Sequence, residues 1–215
     1  MCKTENKYHN IIAVTNRTLC RGSFLKQVER VCTVHPKALL LREKDLSESE
    51  YTALARKVQS ICRHYEVSCI LHYYPVSAEQ TGVYRLHLPL AKLRELNAAG
   101  RSVRYEMLGC SVHSVEEAKE AEMLGATYLT AGHIYATDCK KGVPPRGLFF
   151  LREVCWAVEI PVYAIGGIRM EYFADSERSD REEYTAQKRP CTQQMKEIAK
   201  CGAKGACIMS GMMQL

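Results

Sequence analysis

The sequence predicts an α/β protein in which eight parallel strands close into a barrel and helices cover its outside. Three observations support this prediction. Eight short apolar segments recur along the 215 residues, and a helical stretch or a loop separates each from the next. The segments are nearly continuous in apolar residues, as strands covered on both faces are. Neither a second domain nor a short repeat is visible, so we expect a single TIM (β/α)8 barrel over residues 1–215.

The predicted strands and helices alternate along the chain. The strands are residues 10–15, 38–41, 68–71, 84–88, 107–110, 127–131, 161–165 and 205–209. The helices are residues 23–33, 47–64, 114–125, 147–158 and 191–201. Ser47 and Glu50 have the spacing of a capping box, and Ser114 is placed to cap the helix that follows it.

Two regions depart from a regular barrel. The chain ends at Leu215, soon after the last predicted strand, so the eighth helix is expected to be short or absent. A partner subunit would cover the seam that this leaves, which favours a homodimer. Residues 171–190 are rich in charge and are predicted to be an exposed loop or a frayed helix.

The composition argues against several classes of protein. Hydrophobic residues make up 47% of the chain and charged residues 25%, which is typical of a globular domain. The net charge is +6, but Lys and Arg are scattered, which suits a small anionic substrate better than nucleic acid. No apolar stretch is long enough to span a membrane or resembles an export segment. The eleven cysteines form no C-x-x-C pair or zinc spacing, so we expect free thiols in a reducing cytoplasm.

Small residues follow the seventh and eighth predicted strands, where barrels of this class commonly bind phosphate. Glycine lets backbone N–H groups approach an anion closely. The candidate phosphate-binding residues are Gly166, Gly167, Ser210 and Gly211. The alternative is that these glycines only allow tight packing between strand and helix.

His133 is the candidate catalytic residue. Imidazole titrates near neutral pH, so a single ring can take a proton and return it. His133 follows the sixth strand and opens a polar loop, residues 134–146, that is suited to be a lid and to supply Thr137 and Lys140 as substrate-binding residues. A lone histidine at a strand end is otherwise more often structural. His72 and His113 follow strands, His87 lies at the end of one, and all three have the same two interpretations.

Two cations follow the second predicted strand. Arg42 and Lys44 are two residues apart, so they share one side of an extended backbone, whereas Glu43 points to the other side. They are candidate ligands for an anionic group of the substrate. A solvated strand end with local ion pairs is an equally good interpretation. Cys139, between charged residues of the lid loop, has no predicted base as a partner and is taken as non-catalytic.

Three segments resemble the thiamin phosphate synthase/TenI superfamily over about residues 11–212. They are Leu41-Arg42-Glu43-Lys44-Asp45, Gly109-Cys110-Ser111-Val112-His113-Ser114, and residues 160–167. The resemblance implies a TIM barrel and an enzyme of thiamin biosynthesis. The synthase branch uses magnesium and has Gln, Asn-Asp and Asp where this chain has Leu40, His72-Tyr73 and residues 89–92. Because magnesium prefers oxygen ligands, these departures argue against a metal site.

The TenI branch resembles this chain more closely, through residues 131–142, Arg146-Gly147 and residues 208–211. This resemblance implies a thiazole tautomerase that needs no cofactor. Its substrate would be the carboxythiazole phosphate made by thiazole synthase, which it aromatises by moving a proton. The catalytic histidine of the family corresponds to His133, and Arg42 or Lys44 would face the carboxylate. The alternatives are a thiamin phosphate synthase and a non-catalytic regulatory protein of the thiamin pathway.

Overall fold

The computed structural model of the protein describes residues 6–173 and 187–215. Its strands are β1 (Ile11–Val14), β2 (Ala38–Leu41), β3 (Ser68–His72), β4 (Arg85–Pro89), β5 (Met107–Val112), β6 (Tyr128–Gly132), β7 (Val162–Ile165), β8 (Met170–Phe173), β9 (Gln187–Pro190) and β10 (Gly205–Ile208). Its helices are α1 (Phe24–Thr33), α2 (Glu48–His64), α3 (Pro75–Thr81), α4 (Leu90–Ala98), α5 (Val115–Met123), α6 (Gly147–Ala157), α7 (Thr192–Lys200) and α8 (Ser210–Met213).

Eight strands form a closed parallel barrel, in the order β1-β2-β3-β4-β5-β6-β7-β10. The barrel closes where β10 pairs with β1, with Ile11 opposite Ala206 and Ala13 opposite Ile208. All eight barrel strands therefore end on the same face, at which their loops meet. The predicted TIM-barrel fold is confirmed.

Apolar residues fill two separate layers, one inside the barrel and one between the strands and the helices. In β1, Ile12 and Val14 belong to the inner cluster, together with Tyr128 of β6. Their neighbours Ile11 and Ala13 belong to the outer cluster. Successive side chains of a strand point to opposite faces, so a strand buried on both faces is apolar throughout. This explains why the strands appear as continuous apolar runs in the sequence.

The predicted helix caps are present. The Ser47 side chain accepts a hydrogen bond from the Glu50 backbone N–H, and Glu50 Oε2 accepts one from the Ser47 backbone N–H at 3.0 Å. Ser114 accepts a hydrogen bond from the Glu117 backbone N–H at 3.1 Å. Each such cap contributes about 1 kcal/mol to stability, and together they fix where α2 and α5 begin.

Besides the short α8, two helices, α3 and α4, have no counterpart among the five predicted ones. Helix α3 has only seven residues, with Pro75 at its start and Gly82, at φ +67°, directly after its end. Helix α4 begins immediately after β4 and buries only three leucines, Leu90, Leu93 and Leu96. Neither helix has a side-chain N-cap, which is the signal that revealed α2 and α5.

The prediction for residues 171–190 is wrong at both ends of that segment. Strands β8 and β9 pair antiparallel, with Met170 opposite Pro190 and Phe173 opposite Gln187. The aromatic residues at the end of β8 favour a strand, but the charged residues that follow in the sequence obscured this preference. Residues 174–186 lie outside the described residues.

At the C-terminus, α8 has four residues, as expected for a short eighth helix. Among the described helices, none has both the length and the apolar character needed to cross a membrane.

Candidate active site

A cavity of about 1360 Å³ lies at the carboxyl ends of the barrel strands. Ligand cavities typically measure roughly 300–1,000 Å³, so this one has room for a small substrate and a covering loop. All nine residues predicted to act on or bind substrate line it. They are Arg42, Lys44, His133, Thr137, Lys140, Gly166, Gly167, Ser210 and Gly211.

The turn after β7 packs directly against the loop that starts at His133. Gly166 and Gly167 have φ values of +96° and +72°, which favour glycine. A Cβ atom on Gly166 would overlap His133 Cβ, and one on Gly167 would overlap the carbonyl oxygen of Ala136. Tight packing therefore requires both glycines. Among the described residues, neither glycine N–H has a hydrogen-bond acceptor, so both can also receive an anion.

Ser210 and Gly211 follow β10, which pairs with β7 and therefore lies next to this turn. They are the first two residues of α8. A Cβ atom on Gly211 would overlap Cγ of Met170, so the backbone is closely packed here as well. The two predicted phosphate-binding segments therefore meet at one edge of the cavity.

His133 is 4% exposed and directly follows β6. Its Nε2 lies 3.2 Å from the carbonyl oxygen of Val143, in the lid loop. Because a carbonyl only accepts, Nε2 carries the hydrogen, and a neutral ring then keeps its lone pair on Nδ1. Nδ1 is buried and has no hydrogen-bond partner among the described residues. The Arg146 N–H also donates to the His133 carbonyl oxygen at 2.9 Å, so the lid loop holds both the ring and the backbone.

Both ring nitrogens of His87 form hydrogen bonds below the cavity. Its Nδ1 lies 2.9 Å from the Tyr128 hydroxyl, and its Nε2 lies 2.8 Å from the Ser111 hydroxyl. Burial, and secondarily the positive charge of Arg42, lowers the pKa of His87 to about 3. His87 is therefore a neutral, fixed part of the barrel wall.

His72 stacks on His87 with ring centroids 6.1 Å apart and lines the cavity. Burial is the main cause that lowers the pKa of His72, to about 2. The nearby His87, Arg42 and Lys44 lower it further. A ring with this pKa does not exchange protons near neutral pH. Neither histidine of this pair therefore has the properties of a general acid or base.

His113 is positioned to hold the backbone next to His133. Its Nδ1 lies 3.0 Å from the carbonyl oxygen of Gly132, and its backbone N–H donates to Glu117 at 2.6 Å. The side chain also lines the cavity. This contact supports the loop that carries His133, a function that its position next to the helix cap did not reveal.

Arg42, Glu43 and Lys44 all line the cavity, but the Glu43 carboxylate is bonded to residues of the loop after β1. Glu43 is buried and accepts hydrogen bonds from the Thr15 hydroxyl at 2.6 Å and the Arg17 N–H groups. Burial lowers the pKa of Arg42. Burial also lowers the pKa of Lys44, and the positive charges of Arg42 and Lys140 lower it further.

Within residues 6–173 and 187–215, no carboxylate lies within ion-pair distance of Arg42, Lys44 or Lys140. Two of these cations, Arg42 and Lys44, are partly withdrawn from solvent. An anion that binds among them would relieve their mutual repulsion. Thr137 lies at the same edge and caps a short 3₁₀ turn, Asp138–Lys140, through a 3.4 Å bond from the Cys139 N–H. This side of the cavity is therefore suited to a carboxylate or another anion.

Thr130 and Gln194 are additional residues of this region that the sequence did not reveal. Thr130 lines the cavity, and its hydroxyl lies 3.2 Å from that of Ser111. Thr130 lies two residues before Gly132, so both residues are on the inner face of β6. This alternation along the strand is the sequence feature that could have identified Thr130. Gln194 lies on α7 outside the barrel and contacts the turn after β7 through side-chain bonds that no local pattern predicts.

Comparison with known proteins places the chain in one family. The family model described as thiamine monophosphate synthase, TMP-TENI, matches residues 11–178. Thiamine-phosphate synthase of Fusobacterium nucleatum is 31% identical over 166 residues, which are 74% of this chain and 78% of that protein. Thiamine-phosphate synthase of Clostridium acetobutylicum is 32% identical over 173 residues, which are 78% of this chain and 80% of that protein.

A solved structure has the same architecture. Thiamine phosphate pyrophosphorylase from Pyrococcus furiosus superposes with a TM-score of 0.73 at 25% identity, covering 98% of this chain and 89% of that one. The barrel, the order of the motifs and the family match agree with each other. The chain therefore belongs to the thiamine monophosphate synthase family (TMP-TENI), a family of thiamine-biosynthesis enzymes.

Proposed function

We propose that the protein is a thiazole tautomerase, an isomerase that aromatises the carboxythiazole phosphate made by thiazole synthase. One observation carries this proposal. His133 is buried between the lid loop and the glycine turn after β7, and its Nδ1 has no partner among the described residues. An unpaired buried nitrogen costs stability unless a ligand uses it. A general base at the phosphate-binding edge of a barrel is what this reaction needs.

Different residues bind different parts of the substrate. The N–H groups of Gly166 and Gly167, with Ser210 and Gly211, bind the phosphate, and Arg42 or Lys44 faces the carboxylate. Thr137 and Lys140 contact the substrate from the lid loop. The bound ring then lies between two anchored anionic groups, so that it cannot turn away from the base.

Proton transfer by His133 completes the reaction. Nδ1 takes the proton from the ring carbon that bears the carboxylate, and the imidazolium returns a proton to the exocyclic carbon beside the ring. One C–H bond breaks and one forms, with no change in oxidation state, and the double bond moves into the ring. The Val143 carbonyl accepts the Nε2 hydrogen throughout, which holds the ring in a single tautomer.

The test is to follow aromatisation of the dearomatised thiazole carboxylate phosphate by absorbance or NMR. His133→Asn removes the base and is expected to lower kcat about 10²–10⁴-fold. His64→Asn is the matched control, because His64 is exposed near the end of α2, away from the cavity. Equal rates for the parent and His133→Asn would remove His133 from the mechanism, and no turnover by the parent would refute the proposal.

A thiamine-phosphate synthase is the second candidate, favoured by the names of the relatives at 31–32% identity. Such an enzyme joins an aminopyrimidine pyrophosphate to a thiazole phosphate and releases pyrophosphate. The assay is product formation with both substrates and magnesium. Product that is lost on chelation of magnesium would make this the better assignment.

The residues of this chain do not fit the magnesium that the synthase branch uses. Among the described residues, no group of three or more His, Cys, Asp or Glu side chains is placed to hold a metal ion. His72 and Tyr73 stand where the branch has Asn-Asp, and cavity-lining Glu43 is already bonded to Thr15 and Arg17. Magnesium prefers oxygen ligands, chiefly carboxylates and phosphates. This chemistry favours the metal-independent isomerase over the synthase.

A further inference from the structure

Gln194 is a buried polar residue on α7, outside the barrel and behind the candidate phosphate site. The residue is 6% exposed. A glutamine amide has two donor hydrogens and an acceptor oxygen, and burying it is costly unless these groups are bonded. The partners of Gln194 therefore show what the residue holds in place.

Both ends of the Gln194 amide are bonded to the segment that follows β7. Nε2 donates to the carbonyl oxygen of Gly167 at 3.1 Å, and Oε1 accepts from the backbone N–H of Arg169 at 2.8 Å. One side chain thus spans a turn of three residues. A second contact, from the Cys191 N–H to the Arg169 carbonyl oxygen at 2.8 Å, ties the same segment to the start of α7.

These bonds fix the direction of the peptide between Gly167 and Ile168. In a planar trans peptide the C=O and the following N–H point to opposite sides. Because the Gly167 carbonyl points to Gln194, the Ile168 N–H points away from α7. Ile168 lines the cavity, and its N–H has no acceptor among the described residues. Glycine populates more backbone conformations than other residues, so a contact from another element helps to fix the direction of this peptide.

We propose that Gln194 is a positioning residue that aims the backbone N–H groups of the Gly166–Ile168 turn at a phosphate group. The inference rests on the proposed function only in assigning that turn to the substrate's phosphate. Gln194 does not touch the substrate. Its contribution is to organise the donors before the anion arrives, so that binding does not pay for ordering the turn.

Gln194→Glu is the sharpest variant. A carboxylate can still accept from the Arg169 N–H, but it cannot donate to the Gly167 carbonyl and places like partial charges face to face. We expect Kd for inorganic phosphate and KM for the phosphorylated substrate to rise about tenfold, as for the loss of one hydrogen bond to a charged group, with kcat little changed. Gln194→Met, which keeps the length and removes both bonds, should weaken phosphate binding similarly and provides a second variant if Gln194→Glu does not fold.

Gln59→Glu is the matched control. The Gln59 amide also donates to a backbone carbonyl, that of Thr81 at 3.3 Å, but it joins α2 to the end of α3 rather than to the cavity. A purely structural function predicts that both glutamate variants lower the melting temperature and that both keep the parent's affinity for phosphate. The inference predicts that only the Gln194 variants lose affinity.

The measurement is calorimetric titration of the full chain with inorganic phosphate, with amide NMR shifts of residues 166–168 as a second readout. Weaker binding by the Gln194 variants alone supports the inference even if the parent has no tautomerase activity, which would refute only the proposed function. Unchanged phosphate affinity in folded Gln194→Glu and Gln194→Met overturns the inference and leaves the tautomerase untouched. A parent that does not bind phosphate also overturns the inference, whereas the tautomerase is tested by turnover of its own substrate.

Discussion

The two sides of the barrel mouth present histidines in opposite chemical states. On the β6–β7 side, His133 has one nitrogen bonded to the lid loop and the other without a partner among the described residues. On the β3–β4 side, both nitrogens of His87 are bonded, and His72 stacks against its ring. His133 directly follows β6, His72 is the last residue of β3, and His87 lies within β4. The difference between them is whether the surrounding structure satisfies the imidazole.

Under the proposed function, this comparison assigns the reaction to one side of the barrel mouth and structural support to the other. A histidine with two fixed partners and a pKa near 3 is a rigid neutral group that shapes the cavity. A histidine with an open nitrogen beside the proposed phosphate site can exchange a proton with a ligand. Three pairs of variants test this division.

Gly166→Ala should have the largest effect on activity, because it acts on the reactive side. The new Cβ would overlap His133 Cβ, at a residue whose φ of +96° already disfavours alanine. Displacing a general base from its working geometry costs about 10²-fold in rate, so we expect at least that loss in kcat/KM for the proposed aromatisation.

Gly82→Ala is the control for Gly166→Ala. Gly82 also has a positive φ, +67°, but a Cβ there would meet no atom within 4 Å. It should cost about 1–2 kcal/mol of stability from backbone strain and leave kcat/KM unchanged. If the two variants lose activity equally, the contact between Gly166 and His133 has no catalytic importance.

Gly109→Ala should disturb the supporting side and act on stability. A Cβ on Gly109 would overlap both the Tyr128 ring and Nδ1 of His87. The pair would have to separate, which breaks a buried hydrogen bond and strains the barrel interior. We expect a loss of about 2–4 kcal/mol in the free energy of unfolding, measured with denaturant.

The corresponding control is Gly22→Ala, where the new Cβ has no atom within 4 Å and no unusual φ. Its stability should stay within about 0.5 kcal/mol of the parent. Gly109→Ala with parental stability would mean that the interior rearranges easily, and the description of His87 as a rigid support would then be wrong.

The same comparison shows how much the sequence can predict. The barrel, the strand ends and the residues at the cavity followed from apolar periodicity and from the rule that functional groups follow strands. The state of each histidine did not follow, because the partners of His87 lie 41 and 24 residues away in the sequence. Gln194 was missed for the same reason, since it contacts Gly167 across 27 residues. Local patterns locate polar residues, whereas their partners are determined by tertiary structure.

The smallest expected effect is on the pH dependence of stability. The folded pKa values of His87 and His72, about 3 and 2, lie below the ordinary value of 6.5. Between these limits the unfolded chain binds more protons than the folded chain, so the two residues make stability fall as the pH falls below about 6.5. Each proton contributes up to about 1.4 kcal/mol per pH unit to that slope.

Replacing His87 by Gln, whose amide can bond to both Tyr128 and Ser111, should reduce this slope by the contribution of about one proton. The His72→Gln/His87→Gln double variant should reduce the slope by the contribution of about two protons. Denaturant unfolding between pH 7 and pH 5 measures the slope before most carboxylates titrate. A slope that is unchanged in both variants would mean that these histidines take up protons in the folded protein. The β3–β4 side would then be open to proton exchange like the β6–β7 side, and His133 would no longer be distinguished by its environment.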